Sequence, residues 1–209
     1  MNRLSSQTEF LLICDRLKTV TRQNRLHDGS RDENSAEHSW HLALMALTLG
    51  EYAAPGTDLA QVTRLLVTHD LVEVYAGDAY FELPDEQMAA YRVKERQAAS
   101  RLFGQLPEDQ QALFTALWEE FEARQTPEAR FAKALDALHP LLLTWGKGGK
   151  GTRYLELTAE RVLRRKYLDI GAFPALWELV EQTVAEAVAA GIMPEDQPGK
   201  ADRRLGKGG

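Results

Sequence analysis

The stretch Leu65-Leu66-Val67-Thr68-His69-Asp70-Leu71-Val72-Glu73 sets an imidazole and two carboxylates into an otherwise apolar run. At helical spacing Leu59, Val62, Leu65, Leu66 and Val72 form one core face. Glu73 lies four residues beyond His69 and three beyond Asp70, so one helical turn presents all three polar groups in reach of one another. A His-Asp pair on its own is a weak signal, because most such pairs are exposed and solvated. Here the flanking apolar residues force at least one of the two side chains toward a low-dielectric environment, where an ionisable group needs a partner or a metal. Adjacent helical residues diverge by about 100°, yet both can converge on an ion at the edge of the face.

Working outward, Asp58 is placed to cap this helix and Gly77 to end it after Glu73 or Val74. The helix before it starts at Asn34, with Glu37 three residues on, carries Leu42, Met45, Ala46 and Leu49, and stops by Pro55-Gly56. Residues 21–33 read as a polar loop. Ahead of them the capping box Ser6-Gln7-Thr8-Glu9 opens a helix with Phe10, Ile13, Leu17 and Val20 on one face. Downstream the periodicity predicts helices over 85–103, 107–124, 127–145, 158–168 and 174–190, the third with Pro127 at its first position and Gly146 at its close. No run alternates as a strand should, and nothing repeats at a fixed period. The expectation is an all-α fold forming one domain over 1–193. The tail 194–209, with Pro198, Gly199, Arg203 and Arg204, has no apolar face and is expected to be disordered.

Composition bounds the function. The chain has 209 residues, 31 acidic against 25 basic side chains, a net charge of -6 and 44% hydrophobic residues. That length suits one core. The acidic balance argues against a protein that grips a nucleic acid polymer along its surface. No basic start precedes an apolar run, and no stretch approaches a membrane span, so a cytoplasmic protein is expected. The single Cys14, at helical spacing from Phe10 and Leu17, reads as a packed core thiol.

Two further residues can join His69 and Asp70. His38 lies near the start of the second helix, where the alternative is a solvated residue. Asp136 could be a mere partner of Lys133, yet Leu135, Leu138 and Leu141 surround it. A mixture of imidazoles and carboxylates suits a borderline divalent metal, and a carboxylate beside it can serve as a base.

The order His38, His69-Asp70, Asp136 resembles the H…HD…D signature of the HD-domain metal-dependent phosphohydrolases. Within that superfamily Leu17-Lys18-Thr19-Val20-Thr21-Arg22, Glu33-Asn34-Ser35-Ala36-Glu37-His38-Ser39, His69-Asp70-Leu71-Val72-Glu73 and Ala76-Gly77-Asp78 resemble the 5'-deoxynucleotidase branch. The resemblance covers about residues 5 to 170 and implies an HD-domain helical bundle. It implies that His38, His69, Asp70 and Asp136 hold one divalent ion (Mn, Co, Fe, Ni, Mg or Zn) and that Arg22 orients the substrate phosphate. Glu73 would handle the water or a proton. Asp78 and the residues just after it would line the sugar pocket, where Tyr80 and Phe81 could stack on a base or simply pack. The implied reaction is hydrolysis of a small nucleotide, most plausibly a deoxynucleoside 5'-monophosphate. Rival readings are an HD phosphohydrolase of another phosphate ester and an idle scaffold that binds a nucleotide or a partner protein.

Several details refine this expectation. Relatives with two metals carry extra His ligands between the His-Asp pair and the last Asp, and this chain has none there, which favours one ion. His41 and His139, a turn from His38 and Asp136, could support those ligands or be satisfied core histidines. Gln23-Asn24 follows Arg22 where described deoxynucleotidases place an aromatic residue, and Ala76 stands where Thr is common. Gly146-Lys147-Gly148-Gly149-Lys150-Gly151 lacks the Walker pattern and reads as a flexible basic loop. The helix with Leu176, Leu179, Val180, Val184 and Val188 is expected to pack in the core, with a share in a homodimer interface as the second use of that face.

Overall fold

The computed structural model describes residues 2–78, 85–149 and 157–194. Among these, nine α-helices carry almost all the regular structure: α1 Arg3–Asp15, α2 Ser35–Leu49, α3 Leu59–Thr68, α4 Glu73–Ala76, α5 Asp85–Phe103, α6 Glu108–Ala123, α7 Pro127–Trp145, α8 Ala159–Ile170 and α9 Pro174–Ala189. The all-α expectation holds. Tyr80 and Phe81, most of the tail, and the end of the Gly/Lys segment lie outside the described residues.

Helix ends follow the capping chemistry of the sequence, with one exception. Asn34 and Glu37 form a reciprocal capping box that opens α2. The Asp58 carboxylate accepts from the backbone N–H of Ala60 and Gln61, and Pro127 begins α7 behind Thr126. The exception is α1. Asn2 caps it by accepting from Ser5 N–H at 2.8 Å, so the helix starts ahead of Ser6 and the expected capping box sits inside it.

Two corrections concern the site. Residues 21–33 are not a plain loop: β1 (Thr21–Arg25) and β2 (Asp32–Asn34) pair antiparallel, Thr21 opposite Asn34 and Arg25 opposite Asp32. Their alternation was invisible to an apolar/polar test, because the inward positions are Arg22, Asn24 and Glu33. The second correction is to the helix bearing His69. It ends at Thr68, and residues 69–72 form tight turns, with Leu71 N–H donating to Thr68 C=O and Glu73 N–H to Asp70 C=O, before α4 starts. The tighter winding changes the directions in which His69, Asp70 and Glu73 leave the backbone. Gly77 then ends α4 at φ 75°, a conformation natural to glycine, and hands the chain to Asp78.

The core has two parts. The larger surrounds α7, whose Phe131, Leu135, Leu138 and Leu141 are wholly buried against α2, α3, α6, α8 and α9. The smaller gathers Phe10, Val72, Leu102, Phe103 and Trp118, with Cys14 at its edge. Leu66 belongs to the first and Val72 to the second, so the turn holding His69 and Asp70 spans the seam between them. The apolar face of α9 is used within the chain: Leu176, Val180 and Val184 are buried in the larger core. No helix among the described residues is long and apolar enough to cross a membrane.

Candidate metal centre

Three helices deliver the central side chains. The capped start of α2 sinks His38 to zero exposure, with Nε2 3.1 Å from Asp136 Oδ1. At the end of α3, His69 Nδ1 sits 2.8 Å from Leu66 C=O and donates to it, which turns the lone pair of Nε2 inward. On α7, Lys133 Nζ donates to Asp136 Oδ2 at 2.7 Å and leaves Oδ1 facing the histidines. Pro140 follows four residues after Asp136 within the helix and removes the N–H that would bond the Asp136 carbonyl, loosening α7 at this point.

His38, His69 and Asp136 present ligand atoms that all lie within 4.8 Å of one another. Asp70 adjoins them, Oδ1 3.0 Å from His69 Nε2 and Oδ2 3.8 Å from His38 Nε2, while Oδ2 also accepts from Arg22 Nη1 at 2.8 Å. His69 Nε2 is buried and, despite its closeness to Asp70, has no hydrogen bond. A buried imidazole nitrogen without a partner is costly unless something accepts its lone pair. Two imidazoles, one of them with that orphaned nitrogen, and two carboxylates fit a divalent cation.

Electrostatics favours the ligand forms of His38, Asp70 and Asp136, with His69 the exception that an ion would have to deprotonate. Burial and the Arg22 guanidinium push the His38 imidazole down to about 4, so it is neutral at neutral pH. Burial opposes ionisation of Asp70 and Asp136, but His69 and Arg22 beside the first and Lys133 and His38 beside the second hold both well below the usual carboxylate range. His69 is raised, Asp70 outweighing burial.

Behind His38 lies a buried polar group that the sequence reading left without a role. Glu33, 2% exposed, stands 3.7 Å from His38 Nδ1, 3.6 Å from His139 Nε2 and 3.6 Å from Arg22 Nε. His139 Nδ1 lies 3.1 Å from His38 Nδ1, and its Nε2 2.9 Å from His41 Nδ1, so three imidazoles form a chain outward from the centre. Burial pushes Glu33 up to about 7 and, with His38 and His41, holds His139 well below its ordinary value. In the sequence the only hint of the burial of Glu33 is its place beside Asn34, the cap of α2.

The hairpin and α4 supply the remaining expected residues. Arg22 lies within 4.0 Å of Glu73 and Asp78 as well as Asp70, its Nη1 3.9 Å from Glu73 Oε1 and 3.8 Å from Asp78 Oδ1. Burial alone would weaken its charge, but these carboxylates raise its pKa further. Ser35 Oγ donates to Glu73 Oε2 at 2.5 Å, and Asp78 Oδ2 accepts from Gln23 N–H at 3.2 Å. Burial first and Asp70 second raise Glu73 well above the usual carboxylate range, and burial also raises Asp78. A cavity of about 470 Å³, lined by Arg22, Asp70, Glu73, Asp78, Lys133 and Asp136, opens on this group and runs on between α5, α6, α7 and α8. That volume lies in the range of small-ligand pockets. Arg22, His38, His69, Asp70, Glu73, Asp78 and Asp136 therefore meet in one place. Lys133 also belongs there, a residue whose i,i+3 spacing to Asp136 reads in the sequence as a surface pair.

The chain is similar to several known proteins. A family model described as HD domain matches residues 14–177. The human 5'-deoxynucleotidase HDDC2 is 29% identical over 140 residues, 66% of each chain, and the bovine one 31% identical over 138 residues, 64% of each. These alignments thus span just under two thirds of those relatives' length. A crystal structure of a protein described as a predicted metal-dependent phosphohydrolase from Magnetospirillum magnetotacticum superposes with a TM-score of 0.83 at 42% identity, covering 91% of this chain and 95% of that one.

Proposed function

The chain belongs to the HD domain family, and from that premise we propose that it is a metal-dependent phosphomonoesterase acting on nucleoside 5'-monophosphates, deoxyribonucleoside 5'-monophosphates foremost. The observation that carries the reading is the convergence of His38, His69 and Asp136 around the orphaned His69 Nε2, with Arg22 and Glu73 beside them in an open cavity. Curated relatives named 5'-deoxynucleotidase support the substrate class.

A divalent ion held by His38, His69, Asp70 and Asp136 would acidify a water and polarise the phosphoryl group. The chain's own residues do the rest. Arg22 keeps its charge through burial and offers a planar fork that matches two phosphate oxygens. The shared contact with Asp70 holds that fork at the edge of the centre, a position that suits a phosphate on the ion's open side. Glu73 is held by Ser35 and has a raised pKa, which suits a group that takes a proton from the attacking water and returns it to the leaving oxygen. Lys133 keeps Asp136 oriented and adds positive charge to the cavity wall. Asp78, fixed by Gln23 N–H on the phosphate-binding strand, marks the sugar end, with Tyr80 and Phe81 as the sugar or base contacts of the proposal. Cytoplasmic location and assembly as a homodimer complete the reading; neither carries it.

The test is phosphate release from paired ribo- and deoxyribonucleoside 5'-monophosphates with Mn, Co or Mg added. Release from the deoxy member of each pair, abolished by chelation, is the expected result. A protein that binds metal and releases phosphate from none of them is not a nucleotidase.

A further inference from the structure

The Asp78 carboxylate needs more than its own contacts to stay where it is. Burial raises its carboxyl, and Asp70 and Asp136 repel its charge against the pull of Arg22. Its own hydrogen bond, from Gln23 N–H, is 3.2 Å long. The turn before it is not wedged by packing: a Cβ built at Gly77, which ends α4 at φ 75°, would meet no atom within 4 Å among the described residues. Two side chains of α5 supply what is missing. Tyr91 Oη donates to the Gly77 carbonyl and Lys94 Nζ to the Ala76 carbonyl, each at 2.5 Å. The Gly77 oxygen lies in the peptide plane that ends at the Cα of Asp78, so holding it orients the stem of the carboxylate.

The two donors are three residues apart and share one face of α5. Further along, that helix is anchored by Ala98, Ala99, Leu102 and Phe103, which are buried with Val72 and Ala76 in the smaller core. Tyr91 also lines the cavity, and burial and then the Glu73 charge raise its phenol, so the hydroxyl remains a donor at neutral pH. We propose that Tyr91 and Lys94 are positioning residues of the site: they hold the Gly77 and Ala76 carbonyls so that the Asp78 carboxylate stays beside Arg22 and meets the sugar end of the nucleotide. This rests on the nucleotide-phosphatase reading and adds two residues that act through Asp78 rather than on the phosphate or the ion.

The experiment follows the Gln23 amide, which the Asp78 carboxylate holds, by hydrogen exchange in NMR spectra of the Mg-loaded full chain. Steady-state phosphate release from thymidine 5'-monophosphate is measured alongside. Tyr91→Phe keeps the ring and loses the hydroxyl; Lys94→Met keeps the stem and loses the charge. In each variant Gln23 exchange is expected to be about fivefold faster and KM about fivefold higher, with kcat within about twofold of wild type. In an Asp78→Ala background neither variant changes either quantity further. If Tyr91 and Lys94 merely stabilised α5, their loss would loosen the amides of that helix and leave Gln23, on β1, as it was. Unchanged Gln23 exchange in either variant overturns the proposal, and so does a KM that stays at the wild-type value or that shifts equally without Asp78. Should neither the wild type nor the variants release phosphate, the nucleotidase reading fails, and Gln23 exchange alone decides whether Tyr91 and Lys94 position Asp78.

Discussion

His139 shows how much of the centre depends on residues that would not themselves touch the ion. With Nε2 of His38 turned toward Asp136 and reserved for an ion, Nδ1 of that ring carries the proton and His139 Nδ1, 3.1 Å away, accepts it. His139 Nε2–H then donates to His41 Nδ1 at 2.9 Å, so the Nδ1–H form of His38 sets the Nε2–H form of His139. Replacing His139 by Ala is expected to weaken metal binding by about 10- to 100-fold in chelator competition. Unchanged affinity would contradict the tautomer chain. Glu33, beside the same rings, makes a pH prediction. Its carboxyl is near 4.5 when unfolded and pushed to about 7 by burial, so the folded state holds the proton more tightly. Its contribution to stability is therefore full below the unfolded value and lost as pH rises through 7. In metal-free protein Glu33→Gln should gain stability relative to wild type between pH 5 and pH 8, measured by urea midpoints; a difference that does not change with pH would contradict this. The candidate ligands His69, Asp70 and Asp136 stand out in the sequence because they interrupt apolar runs. Glu33 does not, because its burial comes from strand pairing.

At the scale of elements, the hairpin of β1 and β2 is the part that sequence patterning misses and the site needs most. A strand pair whose inward side chains are Arg22, Asn24 and Glu33 shows no hydrophobic alternation, yet it carries the Arg22 guanidinium to Asp70. Caps gave the helices away instead, at Asn34, Asp58 and Thr126. The break after Thr68 was hidden because apolar spacing continues through Leu71 and Val72 while the winding tightens. Since the fork geometry of Arg22 is its use, Arg22→Lys keeps the charge and loses bidentate contact. A fall in kcat/KM of about tenfold or more is expected, read in steady-state phosphate release. Wild-type activity in that variant would remove Arg22 from the phosphate site. The central helix offers a stability test: Leu138, wholly buried in α7, should cost about 2–5 kcal/mol on replacement by Ala in denaturant titration. A cost below 1 kcal/mol would mean that the larger core is not tightly packed there.

For the whole molecule, the site's place follows from how the two core clusters meet. Leu66 and Val72 anchor the turn of His69 and Asp70 in different clusters, α2 and α7 bring His38 and Asp136 from one side, and the hairpin reaches Asp70 through Arg22. Packing of the bundle thus assembles ligands that are distant in sequence, and the bound ion would in turn tie those elements together. The central claim is that His38, His69, Asp70 and Asp136 hold one divalent ion on which hydrolysis depends. The most direct test measures metal per chain and phosphate release on the same samples of wild type and His69→Gln, each stripped and reloaded with Mn. One ion per wild-type chain, with activity rising in proportion to loading and both lost in the folded variant, is the result this structure requires. Full activity in stripped protein, or in a His69→Gln chain that holds no metal, would contradict it.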